Sequence, residues 1–119
     1  MDSEKIKSRL RKFAKDRDWN QFHTLKNIAC SINIEASELL EIFQWREINS
    51  VDLKDLNLKE KIGDEVADIM LYLIRFSDIA DINLEKVCLN KIKKNKKKYP
   101  ISSSKGSSKK YNEIWCLII

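Results

Sequence analysis

Two short stretches carry residues that could do chemistry. Glu35-Ala36-Ser37-Glu38 and Glu65-Val66-Ala67-Asp68 each place two carboxylates three residues apart inside an apolar helical pattern. On an α-helix such residues lie about 60° apart around the axis and roughly 4.5 Å along it, so both members of a pair point the same way. Glu35 falls on the stripe of Ile28, Ile32, Leu39 and Phe43, and Glu65 on that of Ile62, Ile69 and Leu73, which predicts acids facing inward. Carboxylates gathered away from water would take up protons unless a cation sat among them. Oxygen-only ligation selects a hard ion, Mg²⁺ or else Mn²⁺. Zinc and non-haem iron centres usually recruit His or Cys, and the di-iron bundles need a Glu-x-x-His on each of two helices; the single histidine, His23, follows no Glu-x-x. Magnesium usually binds through a few carboxylates together with substrate phosphates, which makes a phosphorylated substrate the natural guess.

The elements that must position these acids are helices. From Asp2 or Ser3 as cap, a first helix sets Ile6, Leu10, Phe13 and Ala14 opposite Lys5, Lys7, Arg9, Arg11 and Lys12, and fades at Lys15-Asp16-Arg17-Asp18. The ring-rich connection Trp19-Asn20-Gln21-Phe22-His23 follows, suited to plug a core or wall a pocket. Thr24 caps a second helix whose apolar period holds to about Trp45 or Arg46. Asn57-Leu58-Lys59-Glu60 reads as a capping box opening a third helix, which Asp81-Ile82-Asn83 ends. Asn83 caps a fourth, stopped by Pro100, with Lys91, Asn95 and Tyr99 recurring on one face of its last turns. Residues 101–110 are linker-like, and the apolar segment Tyr111 to Ile119 needs burial somewhere, such as against a neighbouring subunit. The expected organisation is a helical domain over residues 1–100 followed by a Ser/Lys-rich linker and apolar tail over 101–119.

Composition agrees. The 119 residues fit one domain, and two Gly and one Pro in a chain 43% hydrophobic and 34% charged point to an all-α, four-helix-bundle-like fold with short connections. A core of this size gains from oligomerisation. The charge of +5 is concentrated in the six lysines between Lys91 and Lys98, so it reads as a solvated helix end or an attractor for anionic substrates, with no dedicated nucleic-acid partner expected. Three cysteines without CxxC spacing indicate neither a disulfide framework nor a zinc knuckle. Neither a signal core nor a membrane-length apolar run is present, so a cytoplasmic protein without a membrane partner is expected.

Trp19-Asn20-Gln21-Phe22-His23, Glu35-Ala36-Ser37-Glu38, Phe43-Gln44-Trp45-Arg46, Asp64-Glu65-Val66-Ala67-Asp68, Tyr72 and the stretch Lys91 to Pro100 together resemble the all-α MazG-like nucleoside triphosphate pyrophosphohydrolases, nearest to their small dCTP pyrophosphatase branch. The resemblance covers roughly residues 4–113. It implies Mg²⁺-dependent hydrolysis of a (deoxy)nucleoside triphosphate, dCTP-like or a modified pyrimidine, to monophosphate and pyrophosphate, in a dimer or a dimer of dimers. It further implies Glu35, Glu38, Glu65 and Asp68 as metal ligands, with Glu38 also orienting or deprotonating the attacking water. Lys91 and Asn95 match positions that reach phosphates or sugar, Tyr72 one that touches the sugar, and Trp19, His23 and Trp45 the base pocket, where aromatic faces can stack on a pyrimidine. The tail from Trp115 to Ile119 departs from the resemblance, with no counterpart in the family pattern.

Two competing readings stay open. One is a catalytically silent helical dimer that binds nucleic acid or protein through its basic end; buried acids at all four positions argue for the enzyme instead. The other is a relative acting on dUTP, phosphoribosyl-ATP or a purine triphosphate, which pocket shape decides.

Overall fold

The computed structural model describes residues 1–109, and every regular element among them is helical. The helices are α1 (Ser3–Asp16), α2 (Leu25–Phe43), α3 (Leu56–Ile79), α4 (Leu84–Lys98) and the single turn α5 (Ile101–Ser104), with a 3₁₀ turn at Asp52–Lys54 before α3. The chain falls into two compact units, Met1–Ile82 and a second beginning at Asn83.

In the first unit α2 packs on α3, and α1 lies on α3 as well. The innermost side chains are Ala14, Ile28 and Ile74, one from each helix, the two isoleucines at 1% exposure. Burying an aliphatic side chain that fully contributes about 1.5–3 kcal/mol, so this small set fixes the three helices on one another. Arg11 fastens α1 at the surface through two hydrogen bonds to Asp78, Nε to Oδ2 at 2.8 Å and Nη2 to Oδ1 at 2.6 Å. Such a forked guanidinium–carboxylate pair fixes direction as well as distance.

The connections after α1 and after α3 begin with the same device. At the end of α1 the Trp19 N–H donates to the Ala14 carbonyl and the Asp18 N–H to Lys15, with Asp18 left-handed at φ 55°. At the end of α3 the Ile82 N–H donates to Ser77 and the Asp81 N–H to Asp78, with Asp81 also at φ 55°. These are Schellman closures in which Asp takes the place usually held by Gly. The first pins the ring-rich turn, since the Phe22 and His23 N–H groups both return to the Trp19 carbonyl. The Thr24 side chain then accepts from the Asn27 N–H and starts α2.

Some boundaries differ from the sequence expectation. Helix α3 is capped by Asp55, whose carboxylate accepts from the Asn57 and Leu58 N–H groups, rather than by a box starting at Asn57; a charged acceptor just ahead of it in the chain takes the free donors first. Helix α2 ends at Phe43, before Trp45. In the expected linker, Ile101–Ser104 coils into one turn behind Pro100, whose carbonyl accepts from the Ser104 N–H at 2.9 Å. The apolar segment expected over Tyr111–Ile119 lies outside the described residues.

Candidate active site

Two helices that touch only through tertiary packing supply the acids. Glu35 lies seven residues beyond the buried Ile28 and therefore on the same face of α2. Glu38 follows one turn later, and Glu65 comes from the first half of α3. The three side chains each offer an oxygen such that all lie within 4.8 Å of one another, and all three are half-buried. Glu35 Oε2 and Glu65 Oε2 are fully shielded from solvent and accept no hydrogen bond.

A carboxylate oxygen enclosed without a donor is costly in its charged form. Burial first, then the hydrogen-bonding contact and charge of Glu38, and then the charges of Asp68 and Glu65 push the Glu35 carboxyl up to about 7. The same causes raise Glu65: burial, Glu38, Asp68 and its neighbour Asp64. Three carboxylates that bring oxygens within 4.8 Å of one another, two of them with an oxygen shielded from solvent and without a donor, are the donor set a hard divalent cation takes. The residues present fit such an ion.

Asp68 stands outside that trio. It is exposed and lines a cavity of about 470 Å³ in the first unit, together with Trp19, His23, Tyr72 and Arg75. The rings meet edge to face: Phe13 and Trp19 centroids are 5.6 Å apart at 75°, and Trp19 and His23 are 6.3 Å apart at 65°. Asp68 thus joins the acid trio, which its charge reaches, to an aromatic chamber of the size that holds small ligands.

The remaining expected residues are placed as follows. Tyr72, one turn beyond Asp68, lines the cavity as do Trp19 and His23. Trp45 does not; it is 86% exposed, just past the end of α2. Lys91 and Asn95 are exposed on α4, in the second unit, where the neighbouring charge of Lys98 holds the Lys91 ammonium below its ordinary range.

One charged residue at the cavity escaped the sequence reading. Arg75, at 7% exposure, donates from Nε to His23 Nδ1 at 3.2 Å and from Nη2 to Asn20 Oδ1 at 2.8 Å, and its Nη1 lies 3.7 Å from Asp78 Oδ2. An arginine on an otherwise apolar helical stripe, after Leu73 and Ile74, was the signal that could have found it.

The pattern of the MazG-like family matches residues 30–114, a span that holds all four acids. The chain is 31% identical over 104 residues to dCTP pyrophosphatase 1 of Rattus norvegicus, covering 86% of this chain and 61% of that protein. It is likewise 31% identical to dCTP pyrophosphatase 1 of Homo sapiens, again over 86% of this chain and 61% of the other. The chain therefore spans about three fifths of the length of these curated relatives. Among solved structures, a pyrophosphatase from Archaeoglobus fulgidus DSM 4304 matches with a TM-score of 0.73 at 41% identity, over 82% of this chain and 91% of that one. With the family pattern covering most of its length and a solved pyrophosphatase of this likeness, the chain belongs to the MazG-like family.

Proposed function

We propose that the chain is a Mg²⁺-dependent pyrophosphohydrolase that cleaves a dCTP-like or modified pyrimidine nucleoside triphosphate to the monophosphate and pyrophosphate, in nucleotide-pool house-cleaning. The observation that carries this reading is the pair of shielded, partnerless oxygens of Glu35 and Glu65 beside Glu38, next to an aromatic cavity that Asp68 also lines. Likeness to relatives named dCTP pyrophosphatase supports the substrate class.

Glu35, Glu38 and Glu65 would hold the ion, with Asp68 as the fourth acid at the cavity side. The ion supplies neutralisation of phosphate charge and a more acidic attacking water. Glu38 neighbours both raised carboxyls, and we assign it the further task of orienting that water and taking its proton. The water oxygen bonds to the α-phosphorus, the bond from that phosphorus to the α,β-bridging oxygen breaks, and pyrophosphate leaves with the electron pair.

Trp19 and His23 wall the base site and Tyr72 stands at the sugar. Roles for Lys91 and Asn95 toward phosphates or sugar rest on the family likeness. A nucleoside triphosphate substrate is in keeping with a cytoplasmic place of work.

The active form is a homo-oligomer, a dimer or a dimer of dimers. Leu40 is 67% exposed on α2, Trp45 and Leu56 are more exposed still, and Ile34 and Val66 add to the uncovered apolar surface. Apolar surface of that extent calls for a second copy. Trp45 would then act at, or across, the contact between copies.

Pyrophosphate release from a panel of standard and modified nucleoside triphosphates, with and without Mg²⁺, tests the reading. Release from pyrimidine triphosphates only with the metal supports it. Salt-sensitive DNA retention with no release from any nucleotide refutes it.

A further inference from the structure

Arginine carries only donors, so the imidazole nitrogen that meets Arg75 Nε must be the acceptor. That nitrogen is His23 Nδ1, at 3.2 Å. The ring proton of the neutral imidazole is thereby assigned to Nε2. The arginine itself cannot swing away: Asn20 Oδ1 accepts from its Nη2 at 2.8 Å and Asp78 sits 3.7 Å from its Nη1. Asp78 is held in turn by the Arg11 fork, so a continuous chain of contacts runs from the surface of α1 to the imidazole.

We propose that Arg75 is a positioning residue that locks His23 in the Nε2–H tautomer, so that the aromatic cavity presents hydrogen-bond donors to the acceptor edge of a pyrimidine-like base. The proposal deepens the nucleotide reading above and rests on it for the identity of the ligand. Besides Asp68 and Arg75, whose guanidinium is engaged by His23, Asn20 and Asp78, the polar residues lining the cavity are ones that donate or can donate: Arg9, Trp19, His23 and Tyr72. Pyrimidine carbonyl oxygens and ring nitrogens are complementary to such a lining. Burial and the Arg75 charge also keep the imidazole below its ordinary range, consistent with a neutral ring. A site built around hydrogen-bonded groups rejects a ligand that leaves them unpaired more strongly than an apolar pocket does.

The chain has one histidine, so ¹⁵N-histidine labelling of the full-length protein reports His23 alone. At a pH where the ring is neutral, the expected spectrum has a pyridine-type shift at Nδ1 and a pyrrole-type shift at Nε2. Arg75→Ala is expected to average the two shifts and move the titration toward about 6.5. The same variant should raise KM for the pyrimidine triphosphate about tenfold, the equivalent of one hydrogen bond, with kcat within about twofold. Arg75→Lys, which keeps the charge but not the fork, should fall between the two. A wild-type spectrum with the proton on Nδ1, or averaged between the nitrogens, overturns the proposal even if no variant folds. So does an Arg75→Ala protein with wild-type shifts and KM. The spectrum decides the Arg75–His23 relationship whether or not any nucleotide is turned over, which separates this proposal from the one it rests on.

Discussion

Glu35 on α2 and Glu65 on α3 each turn one carboxylate oxygen, Oε2, away from solvent to a place where no donor meets it, and Glu38 stands beside both. The helices are held together by burial of Ile28 and Ile74, so the acids are brought close by apolar packing rather than by any attraction of their own. The fold stores this repulsion, and each of the following consequences uses it.

Glu35→Gln removes a charge that the cation-free protein holds at a cost. At pH 8 without metal, the variant should melt at or above the wild-type temperature, against the usual direction for substitution of a half-buried residue. Mg²⁺ at about a hundred times its Kd should add about 2.7 kcal/mol to the wild type and little to the variant. Thermal melts of both proteins, with and without the ion, check this.

The pH dependence has a definite sign. Glu35 moves from 4.5 in the unfolded chain up to about 7 in the fold, so between those values the native state binds more protons than the unfolded one. Stability contributed by protonated Glu35 is fully present below about 4.5 and is lost as pH rises through about 7. Metal-free denaturant unfolding should therefore show stability falling across that window, and Glu35→Gln should flatten the fall.

The chemistry should be separable from the fold. Glu38→Gln should lower kcat by at least about a hundredfold, within the range for loss of a general base, while far-UV circular dichroism stays unchanged. Activity that survives the change would remove Glu38 from the roles of ligand and base.

How far the sequence revealed this arrangement depended on which contacts were local. Acid spacing, the apolar stripes and the Thr24 and Asn83 caps are properties of neighbours on one helix, and they read directly. The cap at Asp55 and the Asp18 and Asp81 closures did not, because Asp in a left-handed position carries little of the signal that Gly would. Arg75 pairs with residues one helix and one turn away, a long-range relation with His23 and Asn20 that no periodicity records. Asp68 shows the limit of spacing: one turn from Glu65 brings it into line, yet it stands exposed on the cavity side.

The uncovered faces supply a prediction about assembly. Ile74→Ala, in the core of one chain, should cost about 3 kcal/mol. Leu40→Glu, on an exposed position, should leave the chain folded but lower its mass in multi-angle light scattering to that of a smaller assembly. An unchanged mass would contradict the proposed assembly through this face.

The most direct measurement is anomalous diffraction from crystals grown with Mn²⁺ and a non-hydrolysable pyrimidine triphosphate analogue. The account predicts a metal peak bounded by the carboxylates of Glu35, Glu38 and Glu65, with the polyphosphate against it and the ring between Trp19 and His23. Manganese bound elsewhere, with those three carboxylates protonated or turned apart around the nucleotide, would contradict it.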